Sequence, residues 1–354
     1  MKKLLWVGVI LAALAVNTAE AKKFKWTSIN VPEEGGISFV QITKDGSEVC
    51  GTTFRLAGWY SGRDLSVSPD GNKITYLGYK NKTRNVYITN TNTLGSSVQR
   101  TFRAGVNSAS FSPDGSEIVF SESRDGTALV NITSAEGGNI IRQVATGDYP
   151  AFSHDGQKVF FSRYESGSNS ILNRLSGKVA KKTLNIETYS VWSYDRNNGQ
   201  LTNYASGKNP QPLKDRNAFI CERTNELGYG EIWLVDIDNG SESLILSQPG
   251  KNFTSPTVSP DGQWIALVAN NSSNAKNVAA GTKKDKVFSY NEKKENTDIY
   301  VVKMDGSALT QLTYHKGNDI DPAWSPEGNY IYFKSQRGSL KGDYNVWRMT
   351  FNLK

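Results

Sequence analysis

Six polar residues scattered along this 354-residue chain have side chains able to hold or transform a ligand: Asp64, Ser108, Tyr149, Asn209, Ser255 and Asp321. They form one set because each stands four residues before the start of a recurring turn. Neighbours extend the polar character, among them Arg63, Asn107, Asp148, Asn252, Thr254, Asn318 and Asp319. Brought onto one rim, such residues offer hydrogen bonds and carboxylates at fixed separations. A retaining glycosidase needs two carboxylates roughly 5 Å apart, and Asp64 with Asp321 could supply them. Asp319 and Asp321 with backbone carbonyls are donors suited to a hard cation. Two carboxylates two residues apart do not by themselves make a site, so no metal and no cofactor is assigned. The chain has 2 histidines. His154 replaces a turn proline, and only His315 could reach the rim. No G-x-S-x-G and no H-E-x-x-H is present. The set therefore reads as a binding rim, and a solvated rim is what the scaffold alone would require.

Two long segments carry lysines. Residues 164–187 hold Lys178, Lys181 and Lys182; residues 270–296 hold Lys276, Lys283, Lys284, Lys286, Lys293 and Lys294. Long insertions in a compact domain are usually functional or disordered. A basic lid built from Lys283, Lys284 and Lys286 would draw an acidic partner toward the rim. Trp59 and Tyr60 precede the first rim position and suit stacking, and Trp59 is counted among the binding residues. Trp192, Trp233, Trp264, Trp324 and Trp347 fall in apolar runs and read as core.

The elements that must position these residues come from one phrase. Ser68-Pro69-Asp70-Gly71 returns at Ser112-Pro113-Asp114-Gly115 and Ser259-Pro260-Asp261-Gly262, and in altered form at Ser153-His154-Asp155-Gly156 and Ser325-Pro326-Glu327-Gly328. Proline presets φ, aspartate bonds its own backbone and glycine accepts positive φ, so each phrase is a tight turn. Flanking runs such as Ile118-Val119-Phe120 and Ile331-Tyr332-Phe333 make it a hairpin. A third and a fourth run follow, as in Asp298-Ile299-Tyr300-Val301-Val302 and Leu309-Thr310-Gln311-Leu312-Thr313. Four antiparallel strands per unit make a propeller blade, and a unit recurring at roughly 40–65 residues makes a ring of them.

One blade lacks the phrase, but residues 207–216 align without a gap on residues 147–156. Six inner strands result, near residues 65, 109, 150, 210, 256 and 322. The last unit ends at its third strand, Asn345-Val346-Trp347-Arg348-Met349. The N-terminal segment supplies the closure, with Phe39 to Gly46 read as a third strand and Val49 to Phe54 as a fourth. The expectation is an all-β, six-bladed β-propeller closed by N-terminal strand(s); strands in residues 24–43 leave seven blades as the alternative.

These phrases resemble the TolB-type propeller, whose WD-like repeat they match in register over about residues 38–354. The resemblance implies the fold. The same repeat occurs in the periplasmic TolB translocation protein, in propellers gating prolyl-oligopeptidase-type peptidases and in oligogalacturonate lyases, so activity does not follow from it. The sequence reads as a stand-alone propeller without the α/β domain that precedes the TolB ring and without a following hydrolase domain. Its two histidines fit the lyase's His-rich metal site poorly.

Residues 1–21 read as a signal peptide: Lys2-Lys3, an apolar run from Leu4 to Val16, and Ala19-Glu20-Ala21 as the cleavage site. That apolar run is too short to span a bilayer. Residues 22–354 are then one domain, bacterial and exported to the periplasm or outside. The formal net charge is +7, and loss of Lys2, Lys3 and Glu20 lowers it by one. That is too weakly basic for a nucleic-acid binder. Cys50 and Cys221 fall in separate apolar strands on opposite sides of the ring and read as free thiols, although export permits a disulfide. The reading is a non-catalytic scaffold that binds an envelope protein or peptide, an acidic one in particular. The alternative is a lyase or glycoside hydrolase acting on acidic glycans at the same rim.

Overall fold

The computed structural model describes residues 34–43, 65–80, 83–103, 105–138, 141–165, 169–175, 178–184, 188–226, 228–271, 297–338 and 344–352. The fold is all-β. After β1 (Phe39–Gln41), blade 1 holds β2 (Ser66–Val67), β3 (Lys73–Lys80), β4 (Thr83–Asn90) and β5 (Val98–Gln99). Blade 2 holds β6 (Val106–Phe111), β7 (Glu117–Arg124), β8 (Thr127–Ser134) and β9 (Ile141–Thr146). Blade 3 begins with β10 (Asp148–Phe152) and β11 (Lys158–Glu165), is interrupted by the hairpin β12 (Asn169–Leu175) and β13 (Lys178–Leu184), and resumes with β14 (Thr188–Asp195) and β15 (Leu201–Ser206). Blade 4 holds β16 (Lys208–Pro212), β17 (Ala218–Thr224), β18 (Gly230–Asp236) and β19 (Glu242–Leu246). Blade 5 holds β20 (Lys251–Val258), β21 (Trp264–Asn271), β22 (Thr297–Lys303) and β23 (Thr310–Gln311). Blade 6 holds β24 (Asp319–Trp324), β25 (Tyr330–Ser335) and β26 (Asn345–Thr350).

Each blade is a four-stranded antiparallel sheet in chain order, and β1 takes the outer place in blade 6 beside β26. The ring therefore has six blades, not seven. Its inner strands touch in sequence from β2 through β6, β10, β16, β20 and β24 and back to β2. Two faces follow from the topology. The recurring turns between first and second strands lie on one, the turn face. The loops leading into the inner strands, and those between second and third strands, lie on the other, the loop face.

The closing strand differs from the sequence expectation by one place. Phe39 to Gln41 forms the fourth strand of the last blade, pairing Phe39↔Met349 and Gln41↔Trp347, and not a third strand. Residues 44–64, including the expected fourth strand at Val49 to Phe54, lie outside the described residues. The signal that fixes the register is a fourth-strand signature, Gln-x-Thr. Gln41 Nε2 donates to Thr43 O, Gln99 Nε2 to Thr101 O and Gln311 Nε2 to Thr313 O, at 2.7, 2.7 and 2.9 Å. In each case the threonine hydroxyl accepts from a third-strand backbone N–H: Val346, Val86 and Ile299. Chain ends 303 residues apart are thus joined by the bond that builds an ordinary blade.

The turns at Ser68, Ser112, Ser153 and Ser259 repeat atom for atom, while Ser325 Oγ bonds Asn329 instead. Ser112 Oγ donates to Asp114 Oδ1 at 2.5 Å and accepts from Glu117 N at 2.9 Å, while Asp114 Oδ1 accepts from Ser116 N. These bonds to Ser112 and Ser116 hold the Asp114 carboxyl down at about 2. Gly115 takes φ 74°, and a Cβ there would lie 3.2 Å from Pro69 Cδ of the preceding blade. The same packing sets Gly156 on Pro113, Gly328 on Pro260 and, across the ring closure, Gly71 on Pro326. Proline from one turn and glycine from the next are therefore one interblade contact. The two junctions of blade 4 are the exceptions. Between blades 4 and 5 Lys214 stands for the proline and Gly262 faces Asp215, whereas between blades 3 and 4 the proline is replaced by His154 and the glycine by Arg216, so that both halves change. There His154 Nε2 donates to Pro212 O at 3.2 Å across the junction.

Hydrophobic packing is also interblade. Apolar clusters join Tyr76 to Tyr332 and Val346, Phe120 to Leu77, Phe161 to Val119, and Phe219 to Phe160. Two more join Ile220 to Phe253 and Ala266 to Phe333. Wedges distributed around the ring replace one large core. Trp324 and Trp347 are buried within this packing, as the sequence suggests. Cys221 is buried and free, and burial pushes its thiol up to about 12. Cys50 lies outside the described residues.

Candidate functional site

The rim register is an irregularity of the inner strands. On four consecutive blades the residue four before the turn adopts a left-handed backbone: Tyr149 at φ 54°, Asn209 at 53°, Ser255 at 51° and Asp321 at 53°. Each precedes a proline, and strand pairing shifts at each, between Asp148 and Ala151, Lys208 and Gln211, Thr254 and Thr257, and Ile320 and Ala323. Proline cannot donate to the ladder, so it sits in a bulge. A non-glycine residue in this conformation costs about 1–2 kcal/mol, and tertiary contacts must hold it there. Ser108 shares the register, and pairing also shifts beside it, but Ala109 follows in place of proline.

These residues belong to the inner strands and not to solvated loops. Ser108, Asn209, Ser255, Asp319 and Asp321 are buried, and Tyr149 is half-buried. A polar network joins them from blade to blade. Asn107 Nδ2 donates to Asp148 Oδ2 at 3.2 Å, and Ser121 donates to the other oxygen of Asp148. Burial holds the Asp148 carboxyl above the usual carboxylate range. Ser162 Oγ accepts from Asn209 N at 3.0 Å, and Asn209 Nδ2 donates to Glu222 Oε1 at 2.8 Å. Ser255 N also donates to Glu222 Oε1, at 2.7 Å. Asp321 forms an ion pair with Lys334. Buried polar groups with this degree of pairing rigidify the structure that carries them.

Asp319 belongs to a second network, at the ring closure. Arg337, fully buried, donates from Nη2 to Asp319 Oδ2 at 2.9 Å and from both Nη1 and Nη2 to Glu34. Its guanidinium lies 4.2 Å from the Phe39 ring centroid and 5.2 Å from that of Phe333. Asp298 lies close by, its carboxyl pushed up to about 8 by burial and by the charges of Asp319 and Glu34. His315 is buried rather than displayed, and its Nδ1 accepts from Gly317 N at 3.0 Å. Asp319 and Asp321 therefore face different partners, a guanidinium and an ammonium, and do not form one cation site. Among the described residues no group of three or more His, Cys, Asp or Glu side chains could hold a metal ion.

Around this buried centre the loop face displays other groups. Tyr189 meets Tyr164 and Tyr149 edge-on, with ring centroids 5.4 and 6.1 Å apart. Tyr164 is exposed, and Phe102 projects 76% exposed from the loop between blades 1 and 2. The lysine-bearing insertion of blade 3 is the hairpin β12–β13, which pairs with no other described strand. It rises from the Glu165↔Thr188 end of the β11–β14 pair, beside Tyr164 and Tyr189, and carries Lys178, Lys181 and Lys182 in its second strand. Asp64, Trp59, Lys283, Lys284 and Lys286 lie outside the described residues.

Sequence reasoning found the register but missed its partners. Glu222 and Lys334 occupy matching places in β17 and β25, charged and buried directly after the apolar runs Phe219-Ile220-Cys221 and Ile331-Tyr332-Phe333. That break in pattern was the available signal. Glu34 and Arg337 left none, because their pairing exists only after ring closure.

Residues 65–214 match the TolB beta propeller domain family. An uncharacterized protein of Agrobacterium fabrum is 38% identical over 52 residues, which is 15% of this chain and 17% of that protein. The solved TolB of Acinetobacter baumannii superposes with a TM-score of 0.53 at 14% identity, over 80% of this chain and 64% of that one. An oligogalacturonate lyase from Vibrio parahaemolyticus gives 0.51 at 16% identity, over 89% and 97%. The chain thus spans less than two thirds of the Acinetobacter protein, and its match spans about a sixth of the Agrobacterium protein. At these identities the likeness to solved structures is one of fold.

Proposed function

Because the chain belongs to the TolB-type six-bladed β-propellers, we propose that it is an exported, non-catalytic scaffold that binds a protein or peptide partner on its loop face. The observation that carries this reading is the hairpin β12–β13, an outgrowth with three lysines in β13, rooted beside the exposed Tyr164. A rigid ring presenting such an outgrowth loses little entropy on association. Its lysines favour an acidic partner and speed encounter. The TolB of Acinetobacter is a relative in fold, and a protein partner for this chain fits that relation. Export rests on residues 1–21, and no described helix is long and apolar enough to cross a membrane.

Asp319 and Asp321 are unsuitable probes of this reading. Each compensates a buried cation, and removing one partner of a buried pair costs about 3–5 kcal/mol. The test is an affinity capture from envelope extract with the wild type, with a Tyr164→Ala, Lys181→Glu, Lys182→Glu variant, and with Asp238→Lys on the turn face. We expect one partner to be captured by the wild type and by Asp238→Lys and lost from the triple variant. Equal capture by all three would exclude the loop face.

A further inference from the structure

We infer that the outer groove between blades 1 and 2 docks an extended acidic peptide segment, with Val98 and Phe102 as apolar contacts and Arg100, Arg103 and Arg124 as the cations that meet its carboxylates. The groove lies between other blades than the one that carries β12–β13, so it adds a surface to the loop-face reading and stands without it. Its first wall is the outer strand of blade 1. Val98 pairs with Ile88, which packs in the apolar cluster shared with Phe120 of blade 2, so Val98 faces blade 2. Strand alternation puts Arg100 and Phe102 on the same face. Val98 is 49% and Phe102 76% exposed. The second wall is blade 2. Glu122 and Arg124 share a face of β7 with Ile118 and Phe120, and Ile141 and Gln143 stand on β9 beside Thr133 and Asn131.

One residue sets this groove apart. Arg100, Leu312 and Ile42 are equivalent: each stands between the glutamine and threonine of the fourth-strand signature and donates its N–H to a third-strand carbonyl, of Val86, Ile299 and Val346. Leu312 and Ile42 are buried in apolar clusters that join their blade to the next. Arg100 replaces that wedge with a half-buried cation. Its Nη1 donates to Glu136 O at 2.8 Å, while its Nε, shielded from water, makes no hydrogen bond among the described residues. An idle donor where other blades bury a hydrocarbon needs a reason, and a ligand acceptor supplies one. Charge points the same way. Arg103 Nε lies 3.7 Å from Glu122 Oε2 and Arg124 Nη2 2.6 Å from Oε1, so two guanidinia share one buried carboxylate, and the Arg103 side chain donates no hydrogen bond among the described residues. Glu136 is taken by Lys73 at 2.7 Å. Along the groove Lys73, Arg100, Arg103 and Arg124 outnumber Glu122, Glu136 and the exposed Asp125. An exposed phenylalanine beside arginines has the composition of an interface anchor. An extended segment is favoured because Val98, Arg100 and Phe102 follow one another at the two-residue repeat with which such a segment presents its own side chains.

The experiment is a backbone-amide NMR titration of the full exported chain with the peptide Leu-Ser-Asp-Ser-Leu-Asp, blocked at both ends, and with its counterpart in which asparagine replaces each aspartate. We expect the acidic peptide to shift the Val98, Arg100, Phe102 and Gln143 amides and to bind about tenfold more tightly than the neutral one. Phe102→Ala should weaken both peptides. Arg103→Gln, which leaves Glu122 its bond to Arg124, should cut the acidic preference severalfold. Arg100→Leu, the residue that blade 5 places there, should do the same while keeping or raising Tm, which separates a ligand role from a structural one. Equal binding of the two peptides, shifts confined to other amides, or an acidic preference that survives both arginine substitutions would overturn the proposal. So would loss of peptide binding from the Tyr164→Ala, Lys181→Glu, Lys182→Glu variant, which would move the peptide to β12–β13. If the titration fails while that variant still loses its captured partner, the loop-face reading stands without the groove. If the titration succeeds while that variant captures normally, the groove stands and the loop-face reading fails.

Discussion

Asp298 is where a single proton should be visible in stability. Its folded carboxyl titrates near 8, against about 3.8 when unfolded. Between those values the native state holds a proton that the unfolded chain releases. This contribution is therefore complete below the unfolded value and is lost as pH rises through the folded one. We expect unfolding free energy to fall above pH 4 by up to about 1.4 kcal/mol per pH unit from this group. Urea unfolding from pH 5 to 9 should show that slope in the wild type and a flatter one in Asp298→Asn. A slope unchanged by the substitution would mean that the proton resides elsewhere. Arg337 makes the complementary case. Arg337→Met leaves Glu34 and Asp319 buried without their cation, and the expected loss is about 3–5 kcal/mol by chemical denaturation. A loss below about 1 kcal/mol, the level of an exposed pair, would place the guanidinium in solvent.

At the scale of the element, the turn is the repeating device, and its residues act in pairs across blades. Gly115→Ala meets two penalties, a left-handed backbone and a Cβ 3.2 Å from Pro69. We expect it to destabilise by about 1–3 kcal/mol, while Gly126→Ala, with φ 79° and nothing within 4 Å, should show the backbone penalty alone. Thermal melts of the two variants separate interblade packing from backbone strain; equal shifts would deny the packing any role. This level was open to sequence reading because the turn phrase is local: its serine, aspartate and glycine bond within six residues. The fourth-strand signature was open too, as Gln-x-Thr at residues 41–43, 99–101 and 311–313. Aligning Phe39 to Gly46 with a third strand matched the Asp-Gly pair and passed over the glutamine and threonine that bond across strands.

For the whole molecule, the decisive contact is closure. β1 covers the edge of β26, and Glu34 reaches Arg337. A chain beginning at Lys44 would expose that edge, and open edges recruit other chains. We expect such a truncation to self-associate in light scattering and to melt lower than the full chain; a monomer of unchanged Tm would show closure to be dispensable.

The all-β class, the six blades, closure by the N-terminus and the register of Ser108, Tyr149, Asn209, Ser255 and Asp321 were legible in the sequence, because all of these follow from turns and alternation that act over a few residues. What that register does emerged from the fold. It showed Asp319 and Asp321 turned to separate cations, Glu222 gathering Asn209 and Ser255, and Lys208 packed against the Tyr189 ring. Those pairings join blades tens to hundreds of residues apart. A charge's partner, and hence its meaning, is set by which strands the closed ring brings side by side.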